Sequence, residues 1–474
     1  MNQARELKHA FDLIVVGGGS AGFAGAIKGS ELGARTALVD GGTLGGTCVN
    51  VGCVPSKTLL RAAEANQRRT HHGFEGIPAT DGRPDWALVR GQKDELVTEL
   101  RQAKYSDVLG SYERVTLIQQ RATLTSAHGI RLADGRTLSA GKTLITTGSS
   151  PWAPPIPGLS ESGYLDNASA MALERLPGSL IVIGASAAGL ELAQMFARLG
   201  VRVTMLEAQP RVAPAEDPAI GEALGDYLRA EGLEVQAGVQ IEQVSRTNDG
   251  YSIRFQSEGW SRAAQADQLL VATGRRPNTK GLGLETIGVA LGQKGELVVN
   301  EYLQTANPDV YGAGDVLGDP MLVYVAAYGG TLAAENALRG SIQRFDLSAV
   351  PKVTFTDPAI ASVGPAESEL RARGQEPLVS LLPLEHVPRA LAARDTRGFI
   401  KLLADPATRR LLAAHVLASE AGEMITEATL AVRFRLTVDD LTSTFHPYLT
   451  LSEGIKLAAQ AFSKDVRMLS CCAA

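Results

Sequence analysis

An α/β fold is predicted by three observations. An apolar strand runs into a glycine-rich turn and a helix within residues 11–40. The same plan returns at LIVIGASAAGLELA, from Leu180 onward. In both places an acidic residue closes the following strand, and the spacing from Gly17 to Asp40 equals that from Gly184 to Glu207. A lone turn of this kind is weak evidence of anything, but two complete strand, turn, helix and acidic-end units in one register read as two Rossmann-like domains.

Composition bounds what surrounds them. With 474 residues and 45% hydrophobic side chains, the chain is long enough for about three domains with full cores. A net charge of -5 without long Lys/Arg runs speaks against a nucleic-acid or anionic-membrane partner. The opening MNQARELKHAFD places charges where a signal peptide needs an apolar stretch, and the most apolar later window is interrupted by Glu191 and several glycines. The expected compartment is the cytoplasm, where a close cysteine pair reads as redox-active or metal-binding and not as a staple.

In chain order, FDLIVV is the first strand, GGGSAG the turn, and TALVD the second strand. Gly17 allows the tight turn, Gly19 the close approach of a pyrophosphate, and Gly22 close helix–strand packing, while Asp40 is placed to accept from a ribose hydroxyl. Next comes GGTCVNVGCVPSK, with Cys48 and Cys53 ahead of Pro55, which suits the first turn of a helix continued by Ser56 and Lys57. Thiols at a helix N-terminus have lowered pKa values and are nucleophilic near neutral pH. In the second unit Gly184, Ser186 and Gly189 take the glycine positions and VRVTMLE ends at Glu207. Two dinucleotide sites in one chain imply a flavin in the first and a nicotinamide in the second, with the cysteine pair as the next electron carrier. The other two cysteines, Cys471 and Cys472, are adjacent near the C-terminus. Neighbouring Cα atoms lie about 3.8 Å apart, below the usual disulfide range, so two thiolates there suit a soft thiophilic metal better than a structural bridge.

The segment GGTCVNVGCVPSK resembles the active-site signature of the flavin-dependent pyridine nucleotide-disulfide oxidoreductases, which include glutathione reductase and dihydrolipoamide dehydrogenase. LITTGS at Leu144 to Ser149, LLVATGRRPN at Leu269 to Asn278 and VYGAGDV at Val310 to Val316 resemble the family's other segments in the expected order. The resemblance implies FAD, with Gly22, Gly42, Thr47, Lys57 and Gly148 at flavin contacts, Asp315 on the ribityl chain, Val323 near the flavin edge and Ala122 at the adenine. Gly274 belongs to a connecting segment, and Glu191 is implied to pair with Lys57 beside the flavin. The ending LSCCAA resembles the branch of the family that reduces mercuric ion. That branch implies a homodimer in which Cys471 and Cys472 take Hg(II) from small thiols and pass it to Cys48 and Cys53 of the opposite subunit. Tyr105 and Tyr448 match positions lining its metal site. A C-terminal α+β dimerisation domain is implied as well.

Some features depart from this pattern. His446 resembles the family's general acid, but five residues on stands Leu451, and the first acid is Glu453. The orienting carboxylate is thus expected to be displaced, which argues against glutathione or lipoamide as substrate. Glu207 would hydrogen-bond a free ribose and repel a 2′-phosphate, predicting preference for NADH over NADPH, softened by Arg211. About ten residues precede the first strand, so a catalytic core without an N-terminal metal-binding domain is expected. Domain boundaries are expected near residues 150, 275 and 346, with flavin, nicotinamide, flavin and interface segments in that order. The alternatives are a dihydrolipoamide dehydrogenase-like enzyme with an incidental tail, and a flavoprotein that only sequesters metal.

Overall fold

The computed structural model describes residues 10–80, 82–465 and 467. These residues form two compact units. The first takes in the chain up to Ser56, Arg90–Trp152 and Gly274–Asp346. In it β1 (Phe11–Val16), α1 (Ser20–Glu31) and β2 (Thr36–Val39) form the expected β-α-β unit. The short helix α2 (Gly46–Val51) and the start of α3 (Cys53–Thr70) follow, and α4 ends at Arg101 after beginning at Trp86. Strands β3 (Val115–Ile118), β4 (Ala122–Ser126), β5 (Gly129–Leu132) and β6 (Thr137–Ile145) complete a sheet of order β3-β2-β1-β6-β5-β4. Pairing is parallel through β3, β2, β1 and the second half of β6, which also pairs in parallel with Val310–Gly312. β4 and β5 fold back antiparallel.

Side-chain alternation on β1 assigns its two faces. Leu13 and Val15 pack into one core, with Leu38 and Leu144, whereas Ile14 and Val16 pack into another, with Ala37 and Ile145. Both faces being covered accounts for the unbroken apolar run that made the strand legible. On the first face α1 lies against the helix Val323–Arg339. A Cβ on Gly330 would stand 2.0 Å from the Ala21 carbonyl oxygen, so only glycine permits this backbone contact.

The second unit comprises Lys57–Val89, Ala153–Thr273 and the chain from Leu347. Its parallel sheet places Glu234–Ala237, Arg202–Glu207, Ser179–Ile183 and Gln268–Val271 side by side. The helix Ala187–Arg198 follows the second glycine turn, again as expected. An antiparallel three-stranded sheet spans residues 240–266, and a five-stranded antiparallel sheet after residue 350 packs on the helix Ala421–Arg433. Buried ion pairs lock these parts together. Arg198 meets Glu231 at 2.6 Å and Asp357 at 2.9 Å, and Arg397 reaches Glu231 at 3.0 Å and Asp357 at 3.1 Å. Lys401 lies between Asp217 at 2.8 Å and Glu367 at 2.6 Å. Among the described residues no helix is long and apolar enough to cross a membrane.

Candidate active site

In the first unit the two cysteines sit on adjoining helices. Cys48 is the third residue of α2, Cys53 opens α3, and both thiols are half-buried. The sequence predicts one helix starting at the pair; α2 is an additional turn, ended by Gly52. Asn50 ties the loop down, donating from its amide to the carbonyls of Leu44 at 3.0 Å and Gly46 at 2.8 Å. Arg101, at the end of α4, donates in turn to the Asn50 side-chain oxygen at 3.2 Å. Both glycines of GGTC are left-handed, at φ +93° for Gly45 and +61° for Gly46. A Cβ on Gly46 would lie 2.6 Å from the Gly19 Cα, so the cysteine loop rests directly on the first glycine turn.

The geometry of that turn suits a dinucleotide phosphate. Gly17 has φ +112°, and a Cβ there would strike the Thr146 carbonyl oxygen at 2.3 Å. A Cβ on Gly22 would stand 1.8 Å from the Gly17 oxygen, the close helix–strand contact expected. At Gly19, by contrast, the nearest atom to an added Cβ is 3.8 Å away, and as N-cap of α1 it forms no side-chain cap. That neighbour is the Gly46 Cα, at ordinary van der Waals distance, and helix amides without a side-chain cap fit a pyrophosphate. Asp40 accepts from the Gly42 amide at 3.1 Å, Thr47 lies in α2, and Ala122 opens β4. Gly148 and Gly274 both take positive φ, and the Ser149 hydroxyl beside Gly148 donates to Asp315 at 2.7 Å. Arg275 holds the same serine through two 2.7 Å bonds, while Val323 begins the helix that runs to Arg339. These residues fit a flavin dinucleotide.

Tyr105 is brought to the cysteines by a feature without a sequence signal, a five-residue π-helical turn at Gln102–Ser106. Its ring packs on Phe23, centroids 4.8 Å apart. Burial first, and then the charge of Cys48, push its hydroxyl above the usual phenol pKa, opposed by a hydrogen bond with Ser20.

The second unit holds the other predicted residues. Lys57 Nζ lies 2.7 Å from Glu191 Oε2, and Glu191 is buried, which rules out a mere surface ion pair. The other Glu191 oxygen accepts from the Phe355 amide at 2.9 Å, and Lys57 stands over the Phe355 ring at 4.6 Å. Phe355 had no signal in the sequence. Gly184 at φ +100° and Gly189, whose Cβ would meet the Gly184 oxygen at 2.0 Å, repeat the geometry of the first turn. Glu207 turns inward: its oxygens accept from the amides of Ala185 at 2.6 Å and Gln209 at 2.8 Å. Fewer lone pairs are left for a ribose than the sequence alone implies. Arg211 has a buried Nε without a hydrogen-bond partner, its stem lying against Gly221.

One expectation is corrected. His446 does have a carboxylate: its Nε2 is 2.5 Å from Glu427 Oε1, and its Nδ1 is 3.1 Å from the Thr444 carbonyl. The acid comes from the helix Ala421–Arg433, not from the residues that follow the histidine. Leu451 packs against the apolar core, and the buried Glu453 accepts from the Leu449 amide at 3.3 Å. Tyr448 is exposed in this unit. Cys471 and Cys472 lie outside the described residues.

Residues 11–330 match the model of the pyridine nucleotide-disulphide oxidoreductases, and residues 350–459 match that family's dimerisation domain. The mercuric reductase of Staphylococcus aureus is 46% identical over 463 residues, covering 98% of this chain and 84% of the relative. That of Streptomyces lividans is 47% identical over 470 residues and 98% of both chains. Among solved structures, the HOCl-induced flavoprotein disulfide reductase RclA from Escherichia coli superposes with a TM-score of 0.84 at 29% identity, over 95% of this chain and 99% of that one. Signature, glycine cradles and these likenesses agree, and the chain belongs to the pyridine nucleotide-disulphide oxidoreductase family and, within it, to the mercuric reductases.

Proposed function

We propose that the protein reduces Hg(II) to Hg(0) with two electrons from a reduced nicotinamide dinucleotide. The balance is one hydride consumed per metal ion, giving oxidised nicotinamide, Hg(0) and one proton. The observation that carries the reading is the contact of Gly46 with Gly19, which seats the Cys48–Cys53 loop on the turn shaped for a flavin dinucleotide. When bound there, FAD supplies the two-electron relay between nicotinamide and thiols.

The chain's own residues divide the rest of the work. Cys53 faces the flavin side, and Cys48 exchanges with incoming ligands of the metal. Lys57, fixed by Glu191, holds a positive charge near the site. Cys471 and Cys472 collect Hg(II) from small cytoplasmic thiols and hand it on, one sulfur bond replacing another, to the redox pair of the opposite subunit. Tyr105 and Tyr448 line the path. The dimerisation-domain match supports the homodimer. The proposed segments are residues 1–150 and 276–346 for the flavin, 151–275 for the nicotinamide and 347–474 for the interface.

NADH is the proposed donor. A Glu207 carboxylate at the strand end repels a 2′-phosphate even while its oxygens accept from backbone amides, and Arg211 tempers that repulsion. A higher kcat/KM for NADPH than for NADH would overturn this preference.

A second reading is favoured by the 2.5 Å contact of His446 with Glu427, a pairing suited to proton transfer in thiol–disulfide exchange. One assay separates the two: nucleotide oxidation with Hg(II) in excess small thiol, with volatile Hg(0) detected, for the parent and for Cys471→Ala/Cys472→Ala. Hg(0) that weakens in the double variant supports the reductase. Turnover of lipoamide or glutathione disulfide without Hg(0) would move the chain to the second reading.

A further inference from the structure

Within the first unit, residues far apart in sequence meet in one chain of hydrogen bonds. Ser149–Pro151 and Arg275–Pro277 form a two-stranded antiparallel ribbon, in which Ser149 stands opposite Pro277 and Arg275 opposite Pro151. Ser149 and Arg275 are therefore diagonal neighbours on one face, within reach of a long side chain. Arg275 Nε donates to the Ser149 hydroxyl oxygen at 2.7 Å, and its Nη2 donates to the Ser149 carbonyl at 2.7 Å. The serine hydroxyl donates onward to Asp315 Oδ2 at 2.7 Å. Asp315 itself opens a short helical turn, Asp315–Leu317, behind Gly314. Gly314 has φ +81°, and a Cβ there would stand 2.9 Å from the Ala21 Cβ, so this turn is packed against the start of α1. Asn278 fastens the ribbon from its other end: its backbone N–H donates to the Gly148 carbonyl at 2.9 Å and its side chain to the Thr147 carbonyl at 3.0 Å.

Chemistry fixes the direction of this chain. A guanidinium only donates, so the serine oxygen accepts from Arg275 and its single proton goes to the carboxylate. Ser149 is 7% exposed, which leaves its hydroxyl little access to water as an alternative partner. One Asp315 oxygen is thus held, while Oδ1 has no hydrogen-bond partner among the described residues. Resting on the reading of Asp315 as the acid that holds the ribityl chain of the flavin, we propose that Ser149 and Arg275 are positioning residues. Together they fix the carboxylate through Oδ2 and leave Oδ1 to accept from a ribityl hydroxyl. A side chain held in one rotamer beforehand loses less conformational entropy when it binds, so the flavin is held more tightly.

The test follows flavin release from the whole 474-residue chain loaded with FAD, read after dilution by the rise in free-flavin fluorescence. The proteins are the parent, Ser149→Ala, Ser149→Thr, Arg275→Met, Asp315→Ala and Ser149→Ala/Asp315→Ala. Ser149→Ala, Arg275→Met and Asp315→Ala are each expected to speed release about tenfold, the size of one lost hydrogen bond to a charged group. The double variant releases no faster than Asp315→Ala, and threonine, which keeps the hydroxyl, restores the parent rate. FAD analogues that each lack one ribityl hydroxyl give a readout that mere loosening of the fold would not move. With the analogue lacking the hydroxyl bound by Asp315, the parent and Ser149→Ala release at the same rate. Three results would overturn the proposal: parent-rate release from Ser149→Ala or Arg275→Met, additive acceleration in the double variant, or equal acceleration with every analogue. If Ser149→Ala does not fold, Arg275→Met with the same analogues decides. Parent-rate release from Asp315→Ala would sink the reading of Asp315, and the relay with it. Faster release from Asp315→Ala without any from Ser149→Ala would keep that reading and sink the relay alone. Hg(II) takes no part in these measurements, so they stand whether or not the parent makes Hg(0).

Discussion

Glu191 serves two partners, Lys57 through one oxygen and the Phe355 amide through the other. A buried carboxylate satisfied on both sides holds its lysine in one place. If the proposed role of the pair holds, Lys57→Met and Glu191→Gln each lower nucleotide oxidation by about tenfold or more, the size of one lost charge-assisted hydrogen bond. Steady-state kinetics with flavin content as control checks this, and full activity in both variants would reduce the pair to packing. Glu427 belongs to the same scale. Glu427→Gln removes the carboxylate charge facing His446 and should suppress any disulfide turnover while leaving Hg(0) formation within about twofold. A matching fall in Hg(0) formation would place the histidine in the metal reaction. The Lys57–Glu191 pair was legible from the family resemblance; Glu427 was not, because it reaches His446 from another helix and no local spacing announces such a contact.

At the scale of elements, Gly46 at the start of α2 lies against Gly19, the N-cap of α1. Gly46→Ala would place a Cβ 2.6 Å from the Gly19 Cα and also strain a residue at φ +61°, costing about 1–2 kcal/mol from conformation before any clash. Lower flavin content after purification, read by visible absorbance, is the expected result, and parent-like content would show that the loop shifts freely. Buried charge governs the C-terminal sheet in the same way. Burial by itself would raise the Asp217 carboxyl, but the Lys401 hydrogen bond and charge, aided by His415, hold it below its usual value. A carboxyl lowered in the folded state stabilises above its unfolded pKa near 3.8, and that contribution is lost as pH falls below it. Lys401→Met leaves Asp217 and Glu367 unpaired and should cost about 3–5 kcal/mol in denaturant unfolding at neutral pH. The penalty should shrink toward acid pH as Asp217 protonates; one that does not change with pH would point to packing instead. Both β-α-β units were readable because strand, turn and helix are contiguous and each glycine answers to a neighbour a few residues away. The π-helical turn was not, since an inserted residue in a helix leaves the apolar period almost unchanged.

For the whole molecule, sharing of sites between subunits is tested by mixing chains. Subunits lacking Cys471 and Cys472 are combined with subunits lacking Cys48 and Cys53, and random pairing gives about a quarter of the parent activity from the one complete site in each mixed dimer. No recovery would confine each tail to its own subunit. The sequence by itself determined the α/β class, the two glycine cradles, the close pairing of Cys48 with Cys53 and the family, because these depend on residues close together in the chain and on backbone conformations that only glycine adopts at low cost. Tertiary structure alone decided that Glu427 faces His446, that Glu191 binds the Phe355 amide, that Glu207 turns its carboxylate to the backbone and that Phe23 packs on the Tyr105 ring. Most of these contacts join segments far apart in sequence, and even the nearer ones depend on how a chain turns back on itself. Packing and the need to satisfy each buried polar group select such partners, and neither leaves a periodic or spaced signal in the chain.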